Sequence, residues 1–121
     1  MTTPMRNPDV LYKIVTRAAF EAAKGAGEFP QMPIDLKDGF IHFSTATQLR
    51  DTLRLHFAGQ SDLVVFAVNV VDMGAGLRWE VSRAGELFPH HYGPLSTAAI
   101  GRQVTVSVAA DGSVGLPDWI Q

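Results

Sequence analysis

The chain contains no cysteine. That excludes a disulfide scaffold, thiolate nucleophiles and Cys-based zinc sites, and it fits a reducing compartment. An excess of positive charge is missing as well: 10 Lys and Arg against 12 Asp and Glu leave a formal charge of −2 and a pI near 6.0. Non-specific binding to double-stranded nucleic acid needs clustered Lys and Arg, and these are scattered, so no such partner is expected. No apolar run approaches the ~20 residues that cross a bilayer. The first residues, Met1 to Asp9, lack the apolar centre of a signal peptide. Cytoplasm is therefore the default location, and a membrane is not an expected partner.

What the chain does have is apolar content of 46% against 18% charged, in 121 residues. Such a chain folds as one domain and buries about two thirds of its unfolded surface. Residues 1–9, with Pro4 and Pro8, read as a flexible lead-in to a domain over 10–121.

Val10 to Val15 predicts a strand. Thr16 is a suitable N-cap for a helix from Arg17 to about Lys24, which Gly25 and Gly27 end by permitting positive φ. Pro30, Pro33 and Asp38-Gly39 mark Glu28 to Asp38 as an irregular loop. Ile41 to Phe43 is a brief strand. Thr45-Ala46-Thr47-Gln48 matches a capping box, so a helix should begin near Ala46, with Leu49, Leu53 and Phe57 as its core stripe and Gly59 after its end. The β-branched run Leu63 to Val71 predicts a central strand covered on both faces.

Leu77 to Val81 reads as a further strand, Gly85 to Pro94 as a loop, and Leu95 to Ile100 as one helical turn capped by Ser96. Arg102 to Val108 alternates like a half-exposed strand, and Asp111-Gly112 predicts a hairpin back to an edge strand at Ser113 to Leu116. The order β-α-β-α-β-β-β-β makes an α+β fold with a mostly antiparallel sheet and two main helices in its N-terminal half.

The chemistry concentrates in two clusters. In Gly39-Phe40-Ile41-His42-Phe43-Ser44-Thr45, an imidazole sits on a short apolar strand just before a helix N-terminus, which favours anionic groups. Alternation turns His42 away from Ile41 and Phe43. Ser44 is read as opposite His42, and one of the Ser44 and Thr45 hydroxyls as engaged in capping.

The second cluster runs from Arg78-Trp79-Glu80 to Phe88-Pro89-His90-His91-Tyr92-Gly93-Pro94. On a strand, Arg78 and Glu80 share a face. Arg78 is suited to grip a phosphate or carboxylate, and Glu80 to orient a hydroxyl or act as a base. His90 and His91 diverge on extended backbone, so one of them is expected in a pocket. The H-x-E, H-x-x-x-H and H-E-x-x-H spacings of metal sites are missing, so no metal is expected. His56 is read as complementing a helix C-terminus. Against this polar-pocket reading stands a second: a non-catalytic interaction domain, with the same polar groups structural and Trp79, Tyr92 or Trp119 offered to a partner.

Tyr12-Lys13-Ile14, Gly39 to Thr45, Leu77 to Glu80 and Phe88 to Leu95 together resemble the mostly bacterial family called domain of unknown function 952. That family is similar in pattern to the ADP-ribosyltransferase fold and to its tRNA 2′-phosphotransferases, whose split sheet binds NAD in a central cleft. The resemblance implies that His42 falls at the fold's second cleft position, beside the nicotinamide. The fold's first histidine is replaced by Lys13 or by nothing, and its catalytic glutamate has no fixed counterpart, Glu80 and Glu86 being the two candidates.

The expectation is a cleft that binds NAD, ADP-ribose or another phosphorylated small molecule, with group transfer as its chemistry if it is catalytic. His42, Glu80 and His90 are the catalytic candidates. Lys13, Ser44, Thr45, Arg78 and Tyr92 are the ligand-binding candidates, with Lys13 and Arg78 neutralising phosphate.

Overall fold

Two strands buried along most of their length set the architecture: β1 (Val10–Thr16) and β3 (Leu63–Asn69). In the computed structural model, which describes residues 8–120, they pair antiparallel with Leu11 facing Val68 and Val15 facing Val64. A third strand, β6 (Ile100–Val106), pairs along the other side of β3 and completes a sheet of order β1-β3-β6. The expected lead-in lies, up to residue 7, outside the described residues.

Successive side chains on a strand point to opposite faces. Val64, Phe66 and Val68 therefore join Leu11, Val15, Phe20 and Phe43 in one core, while Leu63 and Val65 join Tyr12, Ile14, Leu49 and Leu53 in another. Helix α1 (Arg17–Ala26) brings Phe20 to the first core. The second core receives Leu49 and Leu53 from a later helix over Ala46–His56. Both leucines are fully buried, which stabilises the fold by about 1.5–3 kcal/mol each.

A second antiparallel sheet has the order β2-β5-β4, built from β2 (Ile41–His42), β4 (Leu77–Val81) and β5 (Leu87–His91). It touches the first sheet at one isolated bridge. The Tyr12 N–H donates to Ser44 O at 2.8 Å, and the Ser44 N–H donates to Tyr12 O at 2.9 Å. The molecule is thus a small single-domain α+β protein with antiparallel sheets and, among the described residues, three α-helices: α1, α2 (Pro33–Asp38) and α3 (Ala46–His56). None of the helices among the described residues is long and apolar enough to cross a membrane.

Several sequence expectations are corrected. The loop expected over Glu28 to Asp38 contains α2, because Pro33 sits in its first turn and Gly39 closes it at φ 79°. The loop expected over Gly85 to Pro94 contains β5, the central strand of the second sheet. Pro89 is tolerated there because the Phe43 N–H needs only its carbonyl, at 3.0 Å. The return strand at Ser113 to Leu116 does not form. The turn exists, with Asp111 accepting from the Ser113 N–H at 2.9 Å, but Arg50 takes the Val114 carbonyl at 2.6 Å in place of a strand partner. One missed strand and one surplus strand cancel, so the expected number survives with the wrong members. Gly25 lies inside α1, and Gly27 alone ends it, at φ 70°.

Candidate functional site

A half-open cleft of about 390 Å³ lies where the two sheets meet α3. Its apolar wall includes Tyr12, Ile14, Phe43, Phe57 and Phe88; its polar residues include Lys13, His42, Ser44, Arg83 and His90. His42 and Ser44 both line it, since residues i and i+2 on extended backbone share a face; Ser44 is not opposite His42. The Ser44 hydroxyl is 3.2 Å from that of Thr52 on α3. The Thr45 hydroxyl accepts the Gln48 N–H at 3.1 Å while Gln48 Oε1 accepts the Thr45 N–H at 3.1 Å, so Thr45 closes the capping box and stays out of the cleft lining.

Behind His42 lies a carboxylate clamp that sequence reading missed. Asp35, on α2, is fully buried. Its Oδ2 accepts from Lys13 Nζ at 2.7 Å and from the Met32 N–H at 2.7 Å. Its Oδ1 accepts from the His42 N–H at 2.9 Å and meets His42 Nδ1 at 2.7 Å. The other ring nitrogen, Nε2, lies 2.9 Å from Asp38 Oδ2. Carboxylates only accept, so both bonds form when the ring carries two protons.

Burial pushes the Asp35 carboxyl up. The His42 hydrogen bond, the Lys13 charge and bond, and the Met32 N–H outweigh burial and hold it at about 2. Burial also lowers Lys13, and Asp35 only partly offsets that. The two partners thus report opposite preferences for charge. Asp35 has three stabilising partners and Lys13 has one, so the carboxylate is well satisfied and the ammonium is not. The intact pair adds little net stability, while removing one member strands a buried charge.

A second set of groups stands behind His90. Its Nδ1 lies 2.9 Å from Glu80 Oε1, and the same oxygen accepts from the Tyr92 hydroxyl at 2.8 Å. The pairing of Arg78 with His90 and of Glu80 with Phe88 makes Glu80 a diagonal neighbour of His90. These bonds, from His90 first and then Tyr92, hold the Glu80 carboxyl below the usual range, and Glu80 in turn raises the Tyr92 phenol. Arg78 stacks 5.0 Å over the Tyr92 ring, outside the cleft lining.

Phe40 joins the two sets. Its ring is 4.6 Å from His42 and 4.2 Å from His90, stacked on the latter. Because Nδ1 of His90 faces an acceptor, Nε2 carries the free lone pair of the neutral ring, and no protein group among the described residues bonds it. His91 points to the other side, as expected from alternation. Its Nε2 donates to Met73 O at 2.8 Å, and its buried Nδ1 has no partner among the described residues.

Of the eight sequence candidates, Lys13, His42, Ser44 and His90 line the cleft, whereas Thr45, Arg78, Glu80 and Tyr92 do not. Lys13 and Arg78, expected to neutralise phosphate, are engaged by Asp35 and Tyr92 respectively. Asp35 and Arg83 were not among the candidates. The available signal for Asp35 was its position in the first turn of a Pro-initiated helix; Arg83 had none.

No curated protein matches the chain. The X-ray crystal structure of protein CC0527 from Caulobacter crescentus is similar, with 41% identity over 92% of this chain and 97% of that chain, at a TM-score of 0.83. The solution NMR structure of CC0527 from Caulobacter crescentus gives 42% identity over 87% and 90%, at a TM-score of 0.74. A family profile matches residues 14–103, which hold β1 from Ile14 onward, Asp35 and all three histidines of the cleft lining, His42, His56 and His90, and the chain accordingly belongs to the family described as "Protein of unknown function (DUF952)".

Proposed function

We propose that the protein is a cytoplasmic small-molecule-binding protein of ADP-ribosyltransferase-like build, whose cleft takes a phosphorylated ligand of mononucleotide size and whose His90 exchanges a proton with it during group transfer. The observation that carries this reading is the state of His90: Nδ1 is held by Glu80, and Nε2 is unpartnered on a residue that lines the cleft. A fixed tautomer with an open nitrogen is what a general base needs. His42 is unsuited to that task, since both its nitrogens already face carboxylates. Glu80 is a positioning residue.

The cleft volume of about 390 Å³ lies near the small end of the ~300–1,000 Å³ typical of ligand sites. That favours a mononucleotide, or one half of NAD or ADP-ribose with the remainder outside. Two antiparallel sheets that meet, among the described residues, at the Tyr12–Ser44 bridge, with a cleft beside the junction, support the resemblance to the split-sheet fold. The interaction-domain reading loses ground because its aromatic residues are engaged: Trp79 packs on the first core, Tyr92 bonds Glu80, and Trp119 lies 4.7 Å beneath the Arg102 guanidinium.

Calorimetric titration with AMP, ADP-ribose and NAD, followed by imidazole-detected NMR, tests the reading. Heat with at least one probe and a shifted His90 Nε2 resonance are expected. No heat at millimolar ligand, or binding that leaves His90 unmoved, would sink it.

A further inference from the structure

The protonatable nitrogens lining the cleft divide by what already neutralises them. Lys13 is closed by Asp35 at 2.7 Å, His42 lies between Asp35 and Asp38, and His90 rests on Glu80. Arg83 and His56 also line the cleft, and neither has an ion-pair partner among the described residues.

Arg83 belongs to the short turn between β4 and β5 and is half-buried. Its guanidinium lies 4.8 Å over the Phe88 ring, and Nη1 is 3.4 Å from Thr52 Oγ1. The Thr52 hydroxyl donates to Gln48 O at 3.1 Å, so toward Arg83 it accepts. That long contact engages one of five guanidinium donors. Thr52 and His56 are four apart on α3 and share a face, so the imidazole stands one turn beyond the point where Arg83 meets the helix.

Resting on the cleft reading above, we infer that Arg83 and His56 form its anion subsite and hold the phosphoryl group of a small phosphate monoester, whose body lies against Tyr12, Ile14, Phe57 and Phe88. A planar fork held over an aromatic ring presents paired donors to phosphate oxygens. Lys13 does not serve here. A phosphate drawn to it would face Asp35, whose two oxygens are already fully used in the interior. The cleft thus neutralises its ligand at the rim rather than at its base.

The experiment is calorimetric titration of the wild type, Arg83→Gln, Arg83→Lys and His56→Gln with AMP, adenosine and inorganic phosphate. In the wild type, AMP should bind about 10- to 100-fold more tightly than adenosine. Arg83→Gln should abolish that preference without changing adenosine affinity, Arg83→Lys should keep part of it, and His56→Gln should reduce it. Added salt should weaken AMP binding and leave adenosine binding alone. Competition by inorganic phosphate in the wild type but not in Arg83→Gln would support the subsite. Equal affinity for AMP and adenosine, or an unchanged preference in Arg83→Gln, overturns the subsite and leaves the cleft reading standing. Binding of neither AMP nor adenosine overturns the subsite, and an absence of heat with ADP-ribose and NAD as well overturns the cleft reading. Melting curves for each variant check that the fold is retained.

Discussion

His42 and His90 pack edge to face at 5.3 Å, and each has a carboxylate behind it, yet the two supports are built to different ends. The Asp35 carboxylate is buried in full and bonded on both oxygens, with a lysine ammonium beside it, so the His42 clamp is closed. The Glu80 side chain is 37% exposed, its known bonds converge on one oxygen, and the histidine it holds keeps an open nitrogen. A histidine paired with a carboxylate makes a fixed joint where the carboxylate is saturated and dry, and an adjustable support where it is half wet. Depth in the protein separates the two roles more sharply than residue type does.

The largest expected effect breaks the closed clamp. Asp35→Ala should cost about 3–5 kcal/mol, because it leaves the Lys13 ammonium buried without a counter-charge, and it also frees the Met32 N–H at the start of α2. Thermal melts should show a drop of more than about 10 °C. Adding Lys13→Met should recover much of that loss. A drop of a degree or two in the single variant would mean that the clamp is not closed.

Acid sharpens the same contrast. The folded Asp35 carboxyl sits at about 2, below its ordinary 3.8. Because the folded value is the lower one, its contribution is complete above about pH 4 and is lost as pH falls toward 2, about 2 kcal/mol in all. Denaturant titrations across that window should show the slope, and Asp35→Asn should remove it. Glu80 is also held low, but its exposure to water makes its share of the slope minor.

The smallest stability effect belongs to the open support. Glu80→Ala should lower the melting temperature by a few degrees at most, since its carboxylate is partly open to water, which screens its bonds. It should nonetheless release the His90 tautomer, seen as altered Nδ1 and Nε2 shifts in nitrogen NMR, and weaken any ligand-dependent proton exchange. Large destabilisation with unchanged His90 shifts would reverse the roles assigned to the two histidines.

Much of this geometry was written in short-range patterns. The Thr45 and Gln48 box located α3, the alternation about His42 separated it from Ile41 and Phe43, and the same rule sent His90 and His91 to opposite sides. What escaped notice depended on partners distant in the chain. Pro33 and Pro89 read as loop punctuation, but one begins a helix and the other lies in a strand whose neighbour needs only its carbonyl. Asp35 had no visible role, because its meaning comes from Lys13 on strand β1, 22 positions earlier. Arg78 and Arg83 look alike in sequence, and only the fold shows that one is occupied by Tyr92 while the other opens on the cleft.

The bridge between Tyr12 and Ser44 has a mechanical consequence. Among the described residues, two amide bonds are all the ladder that the sheets share, and both residues also line the cleft. A guest seated there rests on the hinge pin itself. Occupancy would stiffen the angle between the halves of the molecule, and slower deuterium uptake at just those two amides would report it.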